Sequence, residues 1–349
     1  MRFSKSGDNL WHFLTNIPIS RRVLLFAAIW LIFISGLHYG LNVDHGNVRV
    51  IRMGYMPVIS NLACPLLDYT SHSSNELRFR AIKFSSFAEM GEALRNHDIH
   101  VAFIIAPLSV LLRQQGEDVK IVYIGNRHES TLVANSNLNI KKFTDLVGKT
   151  VAVPIRYSGH YLIMLELIER YGMEGQINLV EMNPPDMPSA LSAGAISAYL
   201  VGEPFATRTL KNGDAKVVFY VEEVWPGFMC NLMLVRRDFI QKDPDVVNKL
   251  VSGAVRSGIW AMQNPKEAAK VVSKYWNQPE DFIEYALTHP ENRIVYDQYV
   301  PIEEELQHMA DLMKRFGLSD SNSITGLADD RFSRRVSLQN INGFDSILK

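Results

Sequence analysis

The chain has 349 residues, of which 47% are hydrophobic and 21% charged, a balance typical of folded proteins and unlike that of disordered ones. This length suffices for two lobes of ordinary size. The formal net charge is −1, so the composition gives no indication of a nucleic-acid partner. The two cysteines, Cys64 and Cys230, exclude a disulfide framework. They could form one bridge in an oxidising compartment, although two buried free thiols are the favoured expectation.

An apolar segment near the N-terminus, residues 23–43, contains no Asp, Glu, Lys or Arg. As a helix rising about 1.5 Å per residue it is long enough to span a bilayer core. The basic residues that precede it are Arg2, Lys5, Arg21 and Arg22. By the positive-inside bias we predict a cytoplasmic leader over 1–22, a transmembrane signal anchor over 23–43, and a body on the periplasmic side of the inner membrane. A cleaved signal peptide is the alternative.

Strands and helices alternate through the first part of the exported body. Ser86 is a predicted helix N-cap, with Glu89 completing a capping box. The alternation predicts a doubly wound α/β sheet with right-handed crossovers. The predicted strands are Val48–Val58, Leu77–Phe84, Ile99–Ala106 and Val119–Ile124.

A second α/β block covers residues 136–229. Its first strand, Thr150–Val153, leads into a polar turn from Arg156 to His160, and Ser158 is a predicted N-cap for the helix that follows. In an open α/β sheet such a turn lies where ligands bind. Its free backbone N–H groups and the positive end of the helix dipole favour an anion. The other predicted strands are Ile177–Met182, Ile196–Val201 and Ala215–Val221.

The chain then returns to the first block. Leu232–Val235 is predicted to rejoin the first sheet, and only helices are expected after it. We therefore predict lobe 1 from residues 48–135 and 230–349, and lobe 2 from residues 136–229. A cleft between two lobes is the usual place for a small ligand.

Three stretches carry a resemblance to a known family. They read VAVPIRYSGHYLIMLELIERYGM, NPPDMPSALSAGAISAYLVGEPFATR and RMGYMPVISNLACPLLDY. They resemble the nitrate/sulfonate/bicarbonate-binding family of ABC-transporter solute-binding proteins, over roughly residues 48–315. The resemblance implies a two-lobe type II periplasmic-binding-protein fold with hinged lobes, and delivery of ligand to an ABC permease and its ATPase. The motifs are most similar to the nitrate/bicarbonate branch, which favours a small oxyanion or sulfonate.

Candidate ligand-binding residues come from both lobes. The resemblance places one group in lobe 2, and turns after strands supply a second group in lobe 1, while the two chain crossings between lobes border the cleft. In lobe 2 they are Arg156, Tyr157, Ser158, His160 and Glu203. In lobe 1 they are Met56, Ser60, Ser86 and Ser109, and at the crossings Arg127, His128, Trp225 and Phe228. No metal or cofactor is expected, because no zinc-type cysteine spacing occurs and His97 and His100 fall in a turn before a strand.

Several of these residues have structural alternatives. Ser86 could serve only as a cap, Glu203 could only place charge at a helix start, and Arg156 could lie on the surface. His160 could be a core or capping histidine, and Trp225 and Phe228 could pack the hinge. A flat aromatic or pyrimidine-type ligand stacked on the aromatic residues is the alternative ligand class, and a membrane-anchored sensor is the alternative role. An enzyme is disfavoured because Ser158 and His160 share one turn, too close for a catalytic triad.

Overall fold

The computed structural model describes residues 18–42 and 48–349, which fall into two units, Met1–Val48 and Arg49–Lys349. In the first unit, helix α1 (Ile19–Asn42) is long and apolar enough over Ile19–Gly40 to cross a membrane, and its apolar side chains are exposed. A signal sequence has the same character. Residues 1–17 of the predicted leader and Val43, the last residue of the predicted span, lie outside the described residues.

The body, Arg49–Lys349, is built on two five-stranded sheets. The strands of the first sheet are β1 (Arg49–Tyr55), β2 (Leu77–Lys83), β3 (Val101–Ile105), β4 (Val119–Ile124) and β10 (Asn231–Arg236). Their order is β2-β1-β3-β10-β4, and β10 runs antiparallel to both of its neighbours. The late return of the chain to the first sheet is therefore confirmed. All five residues of β3 are buried, as expected for a central strand covered on both faces.

The second sheet forms the core of lobe 2. Its strands are β5 (Ser130–Asn135), β6 (Thr150–Val153), β7 (Asn178–Glu181), β8 (Ala198–Gly202) and β9 (Ala215–Tyr220). Their order is β7-β6-β8-β5-β9. The predicted lobe boundary after residue 135 needs correction, because β5 pairs along its length with β8 and β9. The first crossing between the sheets therefore lies between Ile124 and Ser130.

Helices cover both sheets and complete lobe 1. Before β10 they are α2 (Ala63–Ser71), α3 (Phe87–Arg95), α4 (Ala106–Gln114), α5 (Gly159–Arg170), α6 (Met187–Ser192) and α7 (Phe205–Lys211). After β10 they are α8 (Arg237–Lys242), α9 (Pro244–Gln263), α10 (Pro265–Trp276), α11 (Glu280–Thr288) and α12 (Glu303–Arg315). Between β5 and β6, Phe143–Leu146 forms a short 3₁₀ turn. Residues 319–349 pack across lobe 1 and bury Leu327 and Ile347.

Two apolar cores hold the body together. One fills the space between the first sheet and helices α2, α9 and α10. The other runs without interruption from α3, α4 and α12 of lobe 1 into lobe 2, through side chains such as Met56 and Phe228. The two lobes therefore share apolar packing and face each other in a closed arrangement. A direct hydrogen bond also joins them, from the backbone N–H of Ile59 to the carbonyl oxygen of Glu203 at 2.8 Å.

Gly125 directly follows β4 at the first crossing and lies against the turn of Ser60. A Cβ atom on Gly125 would sit 2.1 Å from the Ser60 carbonyl oxygen, a backbone atom that cannot rotate away. We expect Gly125→Ala to lower the free energy of unfolding by about 2 kcal/mol, because the turn must shift to relieve the clash.

Gly91 supplies the matched control. A Cβ atom on this buried glycine of α3 would meet nothing nearer than 3.8 Å. Gly91→Ala should therefore be neutral or stabilising by up to about 1 kcal/mol. Thermal unfolding of the two variants decides the matter, and equal melting temperatures would show that Gly125 is not needed for this close approach.

Candidate functional site

Polar side chains are buried where the two lobes meet. Eight of them come from the loops after β1 and β6, the end of β8 and the two crossings, and each is at most 4% exposed. We call them the interlobe cluster: Ser60, Asn61, Glu129, Ser130, His160, Glu203, Cys230 and Asn231. Burying a polar group costs free energy unless the group is hydrogen-bonded. A concentration of buried polar groups between the lobes is therefore a candidate site for polar contacts.

Glu129 lies just before β5 and binds the lobe 1 turn with both carboxylate oxygens. Ser60 donates to it from its backbone N–H at 2.7 Å and from its Oγ at 2.6 Å. Gly202 makes room for this carboxylate, because a Cβ atom there would lie 2.6 Å from Glu129 Oε1. Burial raises the pKa of Glu129 to about 7, although the hydrogen bonds from Ser60 oppose the shift. The carboxyl therefore exchanges its proton near neutral pH.

His160 occupies the first turn of α5. Ser158 caps this helix, since its Oγ accepts a hydrogen bond from the backbone N–H of Tyr161 at 3.1 Å, and the predicted N-cap is confirmed. The cap directs the imidazole inward, where Nε2 lies 2.9 Å from Ser130 Oγ. Nδ1 has no hydrogen-bond partner among residues 18–40 and 48–349. Burial lowers the pKa of His160 to about 3, so the ring is neutral.

Glu203 follows β8 and is also buried. One carboxylate oxygen accepts from Thr131 Oγ1 at 2.9 Å and the other from the backbone N–H of Thr207 in α7 at 2.8 Å. Arg293, from the segment between α11 and α12, places Nη1 3.7 Å from the same carboxylate. Arg293 also donates to the carbonyl oxygen of Ser130. A lobe 1 guanidinium is thereby bound to the polar edge of lobe 2.

Cys230 lies beside His160 but does not form a reactive pair with it. The Sγ–Nε2 distance is 3.9 Å. Burial raises the pKa of the Cys230 thiol well above its usual value, and it lowers that of the imidazole. A nucleophilic cysteine needs a lowered thiol pKa and a cationic or basic partner. Both cysteines of the chain are free and buried, so the expectation of two unpaired thiols is confirmed.

Six of the thirteen sequence-predicted residues lie in or beside the interlobe cluster. Ser60, His160 and Glu203 belong to it, and Ser158 caps the helix that carries His160. Met56 and Phe228 border it and are fully buried: the Met56 carbonyl oxygen accepts from Asn61 Nδ2, and Phe228 packs on His160. Ser109 is also buried, but its Oγ donates to the carbonyl oxygen of Ile105 at the start of α4. The ring centroids of Phe228 and His160 are 5.7 Å apart. A Cβ atom on Gly159 would lie 2.6 Å from the Phe228 ring, so only glycine fits there.

Other predicted residues lie outside the cluster because their side chains have different partners. Arg156 is exposed on lobe 2 and pairs with Glu181 at 2.7 Å, and Ser86 caps α3. Tyr157 is half-buried against the apolar core. At the crossings, Arg127 pairs with Glu305 at 2.9 Å, His128 Nε2 accepts from the backbone N–H of Gly227, and Trp225 packs on His308 of α12.

The sequence prediction missed several residues of the site. Glu129 and Ser130 directly follow Arg127 and His128, the two candidates at the first crossing. Their position at that crossing could therefore have identified them. Cys230 and Asn231 likewise lie at the second crossing, shortly after the predicted candidates Trp225 and Phe228. Arg293 had no local signal, because it lies in an irregular segment far along the chain from its partners.

A metal centre is not formed by the part of the chain that the structure describes. Within residues 18–40 and 48–349, no three His, Cys, Asp or Glu side chains are grouped so that they could hold an ion. His100, which follows the same turn as His97, accepts a hydrogen bond at Nδ1 from the backbone N–H of Arg52 at 3.1 Å.

Comparison with known proteins identifies the family of this chain. The family model described as the NMT1-like family matches residues 46–275, most of the body. The chain belongs to the NMT1-like family. Among curated relatives of this NMT1-like chain, the taurine-binding periplasmic protein of Escherichia coli (strain K12) is 28% identical over 187 residues, which is 52% of this chain and 57% of the relative. The chain thus spans little more than half the length of that relative.

Solved structures confirm the two-lobe periplasmic-binding-protein fold of this NMT1-like chain. The periplasmic nitrate-binding protein NrtA from Synechocystis PCC 6803 has a TM-score of 0.75 at 15% identity and covers 83% of this chain and 89% of its own. The alkanesulfonate-binding protein SsuA from Xanthomonas axonopodis pv. citri has a TM-score of 0.69 at 17% identity, covering 82% and 99%. The resemblance found in the sequence motifs is therefore confirmed.

Proposed function

We propose that this NMT1-like protein is the solute-binding component of an ABC importer. It captures a small molecule between its lobes and delivers it to a membrane permease that is driven by an ATPase. The observation that carries the proposal is the interlobe cluster, where polar groups from both lobes are buried and His160 Nδ1 lacks a partner among the described residues. The names of its relatives, a taurine-binding and a nitrate-binding periplasmic protein, support the same role.

The residues we assign to the ligand are those of the cluster and its border. His160 offers a neutral hydrogen-bond group at Nδ1, and Phe228 closes one side. Ser60 borders the site from lobe 1, where its N–H and Oγ position Glu129. A small oxyanion or sulfonate is the first ligand class, since neutral donors and backbone N–H groups can replace the hydration shell of an anion once closure excludes water.

A second ligand class is favoured by one specific observation. Glu129 and Glu203 are both buried in the cluster, whereas Arg293 is its one neighbouring guanidinium among the described residues. Carboxylates suit a ligand with amino or ring N–H groups, such as an aminosulfonate or a pyrimidine-type compound. Glu203 is the residue we assign to such a group.

The membrane role rests on α1. We propose that residues 23–43 remain as a signal anchor, with residues 1–22 in the cytoplasm and the body on the periplasmic side of the cytoplasmic membrane. The exposed apolar surface of Ile19–Gly40 supports this arrangement. The chemistry of the cluster supports binding rather than catalysis, because its thiol and imidazole have pKa values shifted away from reactive pairing.

A thermal-shift screen of the full chain in maltoside detergent tests the proposal. The panel contains nitrate, bicarbonate, taurine, alkanesulfonates and thiamin-type pyrimidines. A ligand at a hundred times its dissociation constant adds about 2.7 kcal/mol to the free energy of unfolding, which raises the melting temperature measurably.

The His160→Ala variant is expected to lose this ligand-induced shift. His100→Ala is the matched control, because His100 directly precedes β3 and has a backbone partner outside the cluster. We expect it to keep the full shift. If none of the panel stabilises the protein, or if the shift is equal in both variants, the assignment of His160 to the ligand is wrong.

A further inference from the structure

A cavity of about 230 Å³ lies between the second crossing and helix α12. Its walls come from Trp225, Pro226, Gly227 and Met229 of the second crossing, the segment between β9 and β10, and from α12, which contributes Glu304, Glu305, His308 and Met309. Met229 and Met309 are buried and provide apolar walls, while Trp225 is half-buried. The volume is below the roughly 300–1,000 Å³ of sites for drug-sized ligands, so the cavity suits a small one.

This cavity is separate from the interlobe cluster. The ring of Phe228 contacts both neighbouring rings, with its centroid 5.7 Å from that of His160 and 5.8 Å from that of Trp225. Phe228 is fully buried. No residue of the cluster lines the cavity. The indole of Trp225 therefore lines this cavity, whereas the imidazole of His160 belongs to the interlobe cluster.

The mouth of the cavity is acidic. Glu303, Glu304 and Glu305 form the first turn of α12, where the helix dipole stabilises ionised carboxylates. Arg127 neutralises Glu305 through two hydrogen bonds of 3.1 and 2.9 Å. Glu304 has neither an ion pair nor a side-chain hydrogen bond within the part of the chain that the structure describes. Neither Lys nor Arg is among the lining residues.

We propose that this cavity binds a small organic cation of the alkylammonium class. The alkyl groups pack against Trp225, Met229 and Met309, and the positive charge lies beside the Glu304 carboxylate. An indole ring and a free carboxylate together select a weakly hydrated cation, because the ring quadrupole and the negative charge both attract it. A neutral ligand of the same shape gains only the apolar contact.

Two probes of the same shape test this directly. Choline and its carbon isostere 3,3-dimethylbutan-1-ol differ only in charge at the quaternary centre. Each is titrated into the full chain in maltoside detergent, with binding measured by calorimetry. We expect choline to bind at least about tenfold more tightly than the isostere. We expect Trp225→Leu to weaken choline about tenfold and Glu304→Gln about threefold.

Glu303→Gln is the matched control, because Glu303 occupies the same helical turn but does not line the cavity. It should leave choline affinity unchanged, and so should His160→Ala. Equal affinity for the two probes, no measurable choline binding, or loss of binding in His160→Ala would each overturn the proposal. If Trp225→Leu fails to fold, Glu304→Gln decides alone: because Glu304 is exposed, this variant keeps the fold, and an unchanged affinity for choline overturns the proposal.

Discussion

Replacing Arg293 with methionine is expected to lower the free energy of unfolding by about 3–5 kcal/mol. The guanidinium is 3% exposed, donates from Nε to Glu222 at 2.9 Å, and lies 4.3 Å from the centroid of the Tyr220 ring. Methionine fills similar space but removes the cation. The buried Glu203 carboxylate then keeps its hydrogen bonds from Thr131 and Thr207 but loses its neighbouring cation, and removing one partner of a buried ion pair is costly.

Arg331 provides the matched control for this prediction. It makes contacts of the same kind, a two-pronged hydrogen bond to Asp329 at 2.7 Å and a position over the Phe332 ring, but its side chain is 62% exposed. Arg331→Met should therefore change the free energy of unfolding by less than about 1 kcal/mol. Denaturant unfolding of both variants gives the comparison. Similar losses would contradict the view that Arg293 compensates buried carboxylates.

The second prediction concerns pH and Glu129. Burial raises its pKa to about 7, whereas the unfolded chain ionises this residue near its ordinary value of about 4.5. Between these values the folded protein binds more protons than the unfolded one, so stability falls as pH rises. The total loss by pH 8 is about 3 kcal/mol. Glu129→Gln does not titrate and can still accept from Ser60 N–H and donate to Ser60 Oγ.

We therefore expect the two proteins to melt at similar temperatures near pH 5 and Glu129→Gln to melt higher at pH 8. The groups that face Glu129 are Ser60, Glu203, Cys230 and Tyr296. His160 acts in the opposite sense, because its pKa near 3 makes stability fall as pH drops from about 6.5. Both proteins contain His160, so its contribution cancels in the difference. Parallel melting profiles from pH 5 to pH 8 would contradict the raised pKa.

Much of the fold could be predicted from local patterns. The strand Thr150–Val153, the cap at Ser158 and the return strand Asn231–Arg236 each depend on residues close in sequence, and the structure confirms them. The position of β5 in the second sheet could not be predicted from local sequence patterns. An extended strand at a crossing can pair with either sheet, and its partners β8 and β9 lie 60 or more residues further along the chain.

The candidate site was harder to predict than the fold. His160, Glu203 and Ser60 follow strands, and the topology of an α/β sheet brings such positions together. Side-chain direction is a separate question. Arg156 turns outward to Glu181 and Trp225 turns toward α12, and those directions depend on long-range partners. Arg293 reaches the site from a segment without regular structure, so no periodic pattern identifies it.

The measurement that tests the central claim most directly is hydrogen exchange with and without the best ligand of the thermal-shift panel. If a small molecule is held between the lobes, exchange should slow together at Ile59–Asn61 in lobe 1 and Gly159–Tyr161 in lobe 2, because their amides lie at the interlobe cluster. The Asn178–Glu181 strand, at the far edge of the second sheet, should be unchanged. Protection confined to one lobe, or absent from both, would contradict binding in the interlobe cleft.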